Sequence, residues 1–305
     1  MEAAVVVNPA SANGKTGRRW PKLATVMEKE GFSFVHQFTE GPGHATEITR
    51  NFLQIGHDLI ISVGGDGTTN EVVNGFFVDG KLIRDSAALA FINAGTGGDL
   101  RRTIGIPGDD LGAIRHILHS PLRAIDIGKI IFTNDQNVQE ARYFVNIAGL
   151  GLDGDTVARV NRTTKVFGGF ASFLWGTVAS LLLYRNQNMV VVVDGVEICD
   201  EPLTAAVIGN GSYFGGGMFI APNAVIDDGF FDIIILRNLS KIKQLVNLPR
   251  IYSGTHLTHP QVTSLRGKKI NVSSSGNALL NLDGEQPGRA PVEIELLPLA
   301  IKIKG

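Results

Sequence analysis

Short unbroken apolar runs alternate with stretches of helical period along the first third of the chain. Ala3 to Val7, Leu59 to Val63 and Ala87 to Ile92 read as strands buried on both faces. Phe32 to Phe38 alternates and reads as a further strand. Trp20, Leu23 and Met27 make a helical stripe, which Pro21 starts near Trp20 and Gly31 ends. Ala45, Ile48 and Phe52 mark a second helix. Val72, Val73, Phe76 and Phe77 mark a third, and Leu111, Ile114 and Leu118 a fourth. This alternation predicts a parallel sheet covered on both faces by helices.

From about Leu122 the pattern changes to short alternating or apolar runs. They are Ala124 to Phe132, Tyr143 to Ile147, Met189 to Val193, Leu203 to Ile208, Phe230 to Leu236, Lys269 to Val272, Ala278 to Leu282 and Val292 to Leu297. Turn residues separate most of them, which predicts an antiparallel β-sandwich or barrel. The expected domains are 1–122 and 123–294, with residues 295–305 free to return to the first. A long helix near Phe170 to Tyr184 interrupts the second. Val166 to Tyr184 carries no formal charge and sits between Lys165 and Arg185. Its length is borderline for a bilayer span, and its Gly, Ser and Thr residues dilute it. It reads as a buried or interfacial helix and is the best candidate for lipid contact.

Composition narrows the function classes. A net charge of −1 with 19% charged residues argues against nucleic-acid binding. The single Cys199 excludes an intramolecular disulfide and fits a reducing compartment. No secretory signal is visible, because the chain enters a strand-like run directly after Met1-Glu2. His116/His119 and His256/His259 lack a third ligand at zinc spacing and read as helix-end or surface residues. Serine hydrolase chemistry has no Gly-x-Ser-x-Gly support.

Candidate chemistry concentrates in loops that follow strands. After Leu59 to Val63 comes Gly64-Gly65-Asp66-Gly67-Thr68-Thr69-Asn70-Glu71, with Thr68 and Glu71 in capping-box spacing. Asp66 is therefore expected between a strand's carboxyl end and a helix N-terminus, where open α/β sheets bind phosphates. The plain alternative is a tight turn with a solvated aspartate. A second such loop is Asn93-Ala94-Gly95-Thr96-Gly97-Gly98-Asp99. Asn8 to Thr16 nearly matches a phosphate-binding P-loop, but Pro9 replaces its first glycine and the helix is expected to start too late. Lys15, Arg18 and Arg19 remain as candidate phosphate partners. Asp194-Gly195 reads as an ordinary hairpin turn. Asp283-Gly284 reads the same way, except that Glu285 adds a second carboxylate. Asp227-Asp228-Gly229 fits a plain turn or a hard-cation site equally well.

The run Gly64 to Glu71 resembles the signature shared by diacylglycerol, sphingosine and NAD kinases. The ordered set extends the likeness over essentially the whole chain. It comprises Asn8-Pro9, Thr39-Glu40 with Gly43-His44-Ala45, Gly64 to Thr68, Gly95 to Asp99, Asp126, Asn146 to Asp153, Asp227 to Gly229 and Asp283 to Glu285. In these residues the chain resembles bacterial lipid kinases of the diacylglycerol kinase catalytic-domain family. The resemblance implies a Rossmann-like parallel α/β nucleotide domain, a C-terminal antiparallel β-sandwich domain, and an active site in the cleft between them. It implies ATP contacts at Asn8, Thr39, Gly65, Gly67, Thr68, Gly95 and Thr96. Asp66, Asp99, Asp126 and Glu285 would hold catalytic Mg²⁺, and Asp283 would be the general base. Asp228, with the carbonyls of Val225 and Phe230, would bind a structural Mg²⁺. The family's Gly-Thr-Gly-Asn-Asp is altered here, Gly98 standing for the asparagine.

The implied activity is γ-phosphate transfer from ATP to a lipid hydroxyl, with diacylglycerol as the leading acceptor. The implied partner is a membrane surface touched peripherally from the cytoplasm, through 166–184, with a homodimer as a further expectation. Two alternatives stay open: a soluble kinase of the NAD kinase type, and a non-catalytic nucleotide- or lipid-binding module.

Overall fold

The computed structural model describes residues 2–95, 97–167 and 179–305, without the side chains of 161–167. Thr96 and most of the helix expected near Phe170 to Tyr184 lie outside the described residues. The chain forms two compact units, 1–125 with 299–305, and 126–298.

In the first unit Ala88–Asn93, Leu59–Gly64, Ala3–Val7 and Phe34–Phe38 lie side by side in that order, all parallel. The three inner strands are almost wholly buried, which is why they read as unbroken apolar runs. Phe34–Phe38 is the exposed edge: Val35 to Phe38 are all exposed, so the alternation read there buries no face. The opposite edge is extended by the chain's last strand, whose Lys302 and Ile303 pair with Ala88 and Leu89. Helices His44–Gln54, Asp66–Gly75 and Asp110–His119 connect or cover these strands.

Four local expectations are corrected in this unit. The helix assigned as Ser11–Lys29 has left-handed residues at Ala12, Asn13 and Gly14, so its regular part begins at Lys15, not near Trp20. Its buried stripe of Thr16, Trp20, Leu23 and Met27 reaches one turn further back than expected. Pro21 sits inside it, where it cannot donate the bond to the Gly17 carbonyl and its ring crowds that carbonyl. Thr68 is not a helix cap: Gly65 holds that position, and the Glu71 carboxylate accepts the Ala45 N–H instead. The helix also stops at Gly75, so Phe77 begins a short strand rather than continuing the helical face. In Asp110–His119 the buried side chains are Ala113, Ile114 and Ile117, whereas Leu111 faces water.

The second unit is a β-sandwich. Val262–Gly267, Phe231–Arg237, Val196–Gly209, Gln187–Val193 and Lys269–Ser274 follow one another antiparallel, and Lys269–Ser274 then pairs with Val292 to Glu295. Ile147–Gly151 pairs with the second half of Val196–Gly209 and with Leu279–Leu282. Leu122–Asn134 and Gln139–Phe144 form a hairpin about the polar tip at 135–138. One core joins Phe132, Phe144, Leu150, Met189, Val191, Phe231, Ile270 and Val292 among others. Phe144 and Phe231 stack in it with centroids 5.6 Å apart.

The sequence run Tyr143 to Ile147 is two strands, broken where Val145 and Asn146 turn their N–H groups to a side chain. Helices Leu152–Phe167 and Lys241–Tyr252 and the strand Val262–Gly267 carry no counterpart among the expected elements. His256 is buried, its Nε2 2.9 Å from the Ile220 carbonyl oxygen, and is not a surface histidine. Among the described residues no helix is long and apolar enough to cross a membrane.

Candidate active site

Four loops leave the carboxyl ends of the four parallel strands. Asn8, Thr39, Gly65 and Ala94 are each the first or second residue after a strand. Ala3–Val7 has its sequence successor Phe34–Phe38 on one side and Leu59–Gly64 on the other. This reversal is a topological switch point, where such sheets bind ligands. Asn8 is fixed there: its Nδ2 donates to Thr68 Oγ1 at 2.9 Å, and its Oδ1 accepts the N–H groups of Ala10 and Ser11. Thr39 is buried, and its N–H bonds the Val7 carbonyl at 2.8 Å.

The two glycine loops meet backbone to backbone. A Cβ at Gly95 would lie 2.5 Å from the Gly65 Cα, so the second loop approaches this closely only without a side chain at 95, whereas a Cβ at Gly65 would sit at an ordinary 3.5 Å from the Gly95 Cα. Asp66 sits at the start of Asp66–Gly75 and reaches the other loop. It accepts the N–H groups of Gly98, Asp99 and Leu100 at 2.9, 3.3 and 3.4 Å. Its carboxylate thus occupies the N-terminus of Asp99–Ile104, where the peptide dipoles favour negative charge. Burial nevertheless pushes its pKa above the usual carboxylate range, against these hydrogen bonds and the nearby Arg102.

Asp99 is buried and pairs with Arg102 Nη1 at 2.7 Å, and Arg102 also binds the Gly97 carbonyl. A Cβ at Gly97 would be 2.7 Å from Asp66 Oδ2 and 3.8 Å from Asp99 Oδ2, so both carboxylates border one small space kept clear by that glycine. Carboxylate oxygens beside such a space suit a hard cation such as Mg²⁺. Gly98 adopts φ +70°, a conformation that glycine and asparagine both tolerate. Lys15 and Arg18 are exposed, whereas Arg19 pairs with Asp110. Thr16 is no metal-facing P-loop hydroxyl, because its Oγ1 donates to the Ala94 carbonyl.

The second unit holds the other candidates. Asp283 and Gly284 form a two-residue hairpin turn with φ of +48° and +92°, joining Leu282 to Glu285. Unlike an ordinary tip, Asp283 is buried. Its Oδ2 accepts from Val145 N–H at 3.0 Å, and its Oδ1 from Asn146 and Ile147 at 3.1 and 2.8 Å. The Asp194–Gly195 hairpin makes the contrast: its carboxylate faces outward to the Lys268 and Lys269 N–H groups. Glu285 Oε2 lies 3.7 Å from Arg142 Nη1, and Arg142 is itself bound to Glu140.

Asp126 is fully buried and accepts the Gly229 N–H at 2.7 Å, which ties it to the Asp227–Gly229 turn. Asn210 links it to the Asp283 cluster: the Asn210 Nδ2 donates to the carbonyls of Asp126 and Val145 at 2.9 and 2.7 Å. Asp228 is bound by Arg266 and by the Phe230 N–H, and Arg266 lies over the Phe230 ring. A cation at Val225, Asp228 and Phe230 would have to displace that guanidinium, so the turn as arranged does not fit one. Among the described residues no cluster of three or more His, Cys, Asp or Glu stands at metal-binding spacing.

Two residues without an assigned role in the sequence reading belong to this cluster. Asn281 accepts the Gly284 N–H with Oδ1 and donates to Asp153 Oδ2 at 2.8 Å. Asp153 packs against Gly149, where a Cβ would fall 1.8 Å from its Oδ2. This enclosure pushes the Asp153 pKa up to about 7, with the Asn281 bond opposing. Gly149 and Asp153 at i, i+4 were the available signal, since only a glycine admits the carboxyl group there.

Comparison with known proteins agrees with both halves. Residues 2–130 match the diacylglycerol kinase catalytic domain, and residues 146–305 match the YegS C-terminal NAD kinase beta sandwich-like domain. A diacylglycerol kinase of Staphylococcus carnosus is 30% identical over 304 residues, covering 99% of this chain and 94% of the relative. A Staphylococcus saprophyticus diacylglycerol kinase is 31% identical, covering 95% and 90%. A crystal structure from Bacillus anthracis superposes with a TM-score of 0.76 at 23% identity, over 99% of this chain and 96% of that one.

Proposed function

Because the chain belongs to the diacylglycerol kinase family, and is therefore a phosphotransferase of the lipid kinase kind, we propose that it moves the γ-phosphate of ATP to the hydroxyl of diacylglycerol with Mg²⁺. The observation that best supports this reading is the capture of three N–H groups of the Gly95–Asp99 loop region by the Asp66 carboxylate. That bond set ties the two glycine loops together. Phosphoryl transfer asks for alignment and charge neutralisation more than for covalent chemistry.

On this reading the glycine backbones of residues 65, 67 and 95, with Asn8, Thr39, Thr68 and Thr96, receive the nucleotide. Within the first unit, Asp66 and Asp99 would hold the metal. Bound Mg²⁺ would offset the charge of the phosphate oxygens. Asp283 takes the proton of the acceptor hydroxyl, its carboxylate fixed in one orientation by the 145–147 backbone. Val225, Asp228 and Phe230 take a structural ion only where Arg266 withdraws.

Labelled ATP offered with a panel of lipids in mixed micelles, and with NAD as soluble control, tests the proposal. Label in phosphatidic acid is the expected result. Label in NADP alone would replace this reading with the NAD kinase type. ATP binding without any labelled product would leave a binding module.

A further inference from the structure

An asparagine is costly in a buried strand unless both ends of its amide are paired. Asn281 lies between Leu280 and Leu282, both in the sandwich core, and is itself 3% exposed. Its Oδ1 accepts the Gly284 N–H at 2.9 Å, and its Nδ2 donates to Asp153 Oδ2 at 2.8 Å. The amide thus bridges the turn that carries Asp283 to the first turn of Leu152–Phe167.

Two glycines make that bridge possible. Gly149 stands opposite Asn281 in the strand pairing, and a Cβ there would meet Asp153 Oδ2 at 1.8 Å. Gly154 lets the helix press on Leu279–Leu282, since a Cβ there would fall 2.1 Å from the Leu279 carbonyl oxygen. A hairpin by itself needs none of this. Asp194 and Gly195 form the same two-residue turn, with φ of +48° and +84°, and the residue two before that aspartate is Val192.

The Asp283 turn is therefore anchored from two sides. On one side its carboxylate and its own N–H are bound to the 145–147 backbone. On the other, Asn281 holds the Gly284 N–H, and Asp153 fixes the direction of the Asn281 amide. The Asp153 carboxyl keeps an accepting oxygen whether or not it is protonated.

We propose that Asn281 and Asp153 are positioning residues for Asp283, holding its turn so that the carboxylate meets the acceptor hydroxyl at hydrogen-bond distance. This role rests on the lipid-kinase reading, in which Asp283 takes the acceptor's proton. A base must lie within reach of the proton it removes, and a small misplacement is costly.

The test combines steady-state kinetics of the full chain with amide hydrogen exchange at Gly284, read by NMR on nitrogen-labelled glycine. Asn281→Leu and Asp153→Leu keep the volume and remove the bridge. Each should lower kcat about 10- to 100-fold, with KM for ATP at the wild-type level. Asp153→Asn restores an accepting oxygen and should recover most of the turnover that the leucine variant loses. Exchange at Gly284 should be slow in the wild type and at least about tenfold faster in both leucine variants. Turnover that falls only with the folded fraction would overturn the proposal, as would equal exchange at Gly284 in wild type and variants. Should neither leucine variant fold, rapid exchange at Gly284 in the folded wild type, or full loss of turnover in Asp153→Asn, would overturn it, and slow exchange with retained turnover would uphold it. If the wild type labels no lipid, the kinase reading falls, and the exchange comparison alone decides whether the pair anchors the turn.

Discussion

Gly95 and Gly65 touch through their backbones, and a Cβ at position 95 would stand 2.5 Å from the Gly65 Cα and 3.3 Å from its nitrogen. Neither neighbour is a flexible side chain, so nothing near can yield cheaply. Gly95→Ala should therefore separate the two loops and destabilise the first unit by about 1–3 kcal/mol, the usual cost of overpacking. Kinase activity should fall with it. Denaturant unfolding and turnover, measured together, check the expectation; an unchanged midpoint would show that the loops tolerate separation.

Asp66 supports both structure and chemistry. Asp66→Ala removes the acceptor of three backbone N–H groups. Each donor left buried and unpaired costs roughly 1–3 kcal/mol, less where water enters. Asp66→Asn keeps the shape and one acceptor oxygen, and so should fold better than the alanine variant while still losing phosphotransfer. Equal stability of the two variants would mean that the N–H bonds contribute little.

Asp283→Asn should lower turnover by about 10²–10⁴-fold, the typical contribution of a positioned base. Because its oxygens face the N–H groups of Val145, Asn146 and Ile147, an amide nitrogen must turn toward at least one donor. A lowered thermal midpoint should accompany the loss. Full turnover in a folded variant would limit Asp283 to anchoring the 145–147 segment.

Asp153 makes stability depend on pH. Its pKa rises from 3.8 to about 7 in the folded chain, so folding favours the protonated acid. This contribution is complete below pH 3.8 and is lost as pH rises through about 7. Wild-type stability should decline across that window by a few kcal/mol at most, and Asp153→Asn should flatten the decline. Urea midpoints at intervals of pH test this directly; parallel profiles would show that Asp153 ionises normally.

The first unit was readable because its strands are buried on both faces and its helices on one, so residues such as Val5, Ile61 and Ile48 carry an unambiguous period. Loops at strand ends were also visible, since Gly65, Asp66 and Gly95 fall in glycine-rich runs directly after buried strands. The Lys15 helix start was hidden by Pro21, a local signal overridden by the buried Thr16–Trp20–Leu23–Met27 stripe. The helix Leu152–Phe167 was hidden by Gly154 and by β-branched Thr156, Val157 and Val160. Gly154 is needed for contact: a Cβ there would lie 2.1 Å from the Leu279 carbonyl oxygen. The helix Lys241–Tyr252 escaped because apolar residues on two faces blur any single stripe. Asn210 and Asn281 carry no pattern at all; their roles arise from partners distant in sequence.

The last strand, through the pairing of Lys302 and Ile303 with Ala88 and Leu89, belongs to the unit that the first strand begins. During synthesis the parallel sheet must therefore wait with one flank bare until Lys302 and Ile303 have emerged. Nascent chains halted short of residue 299 should bind chaperones through that bare flank.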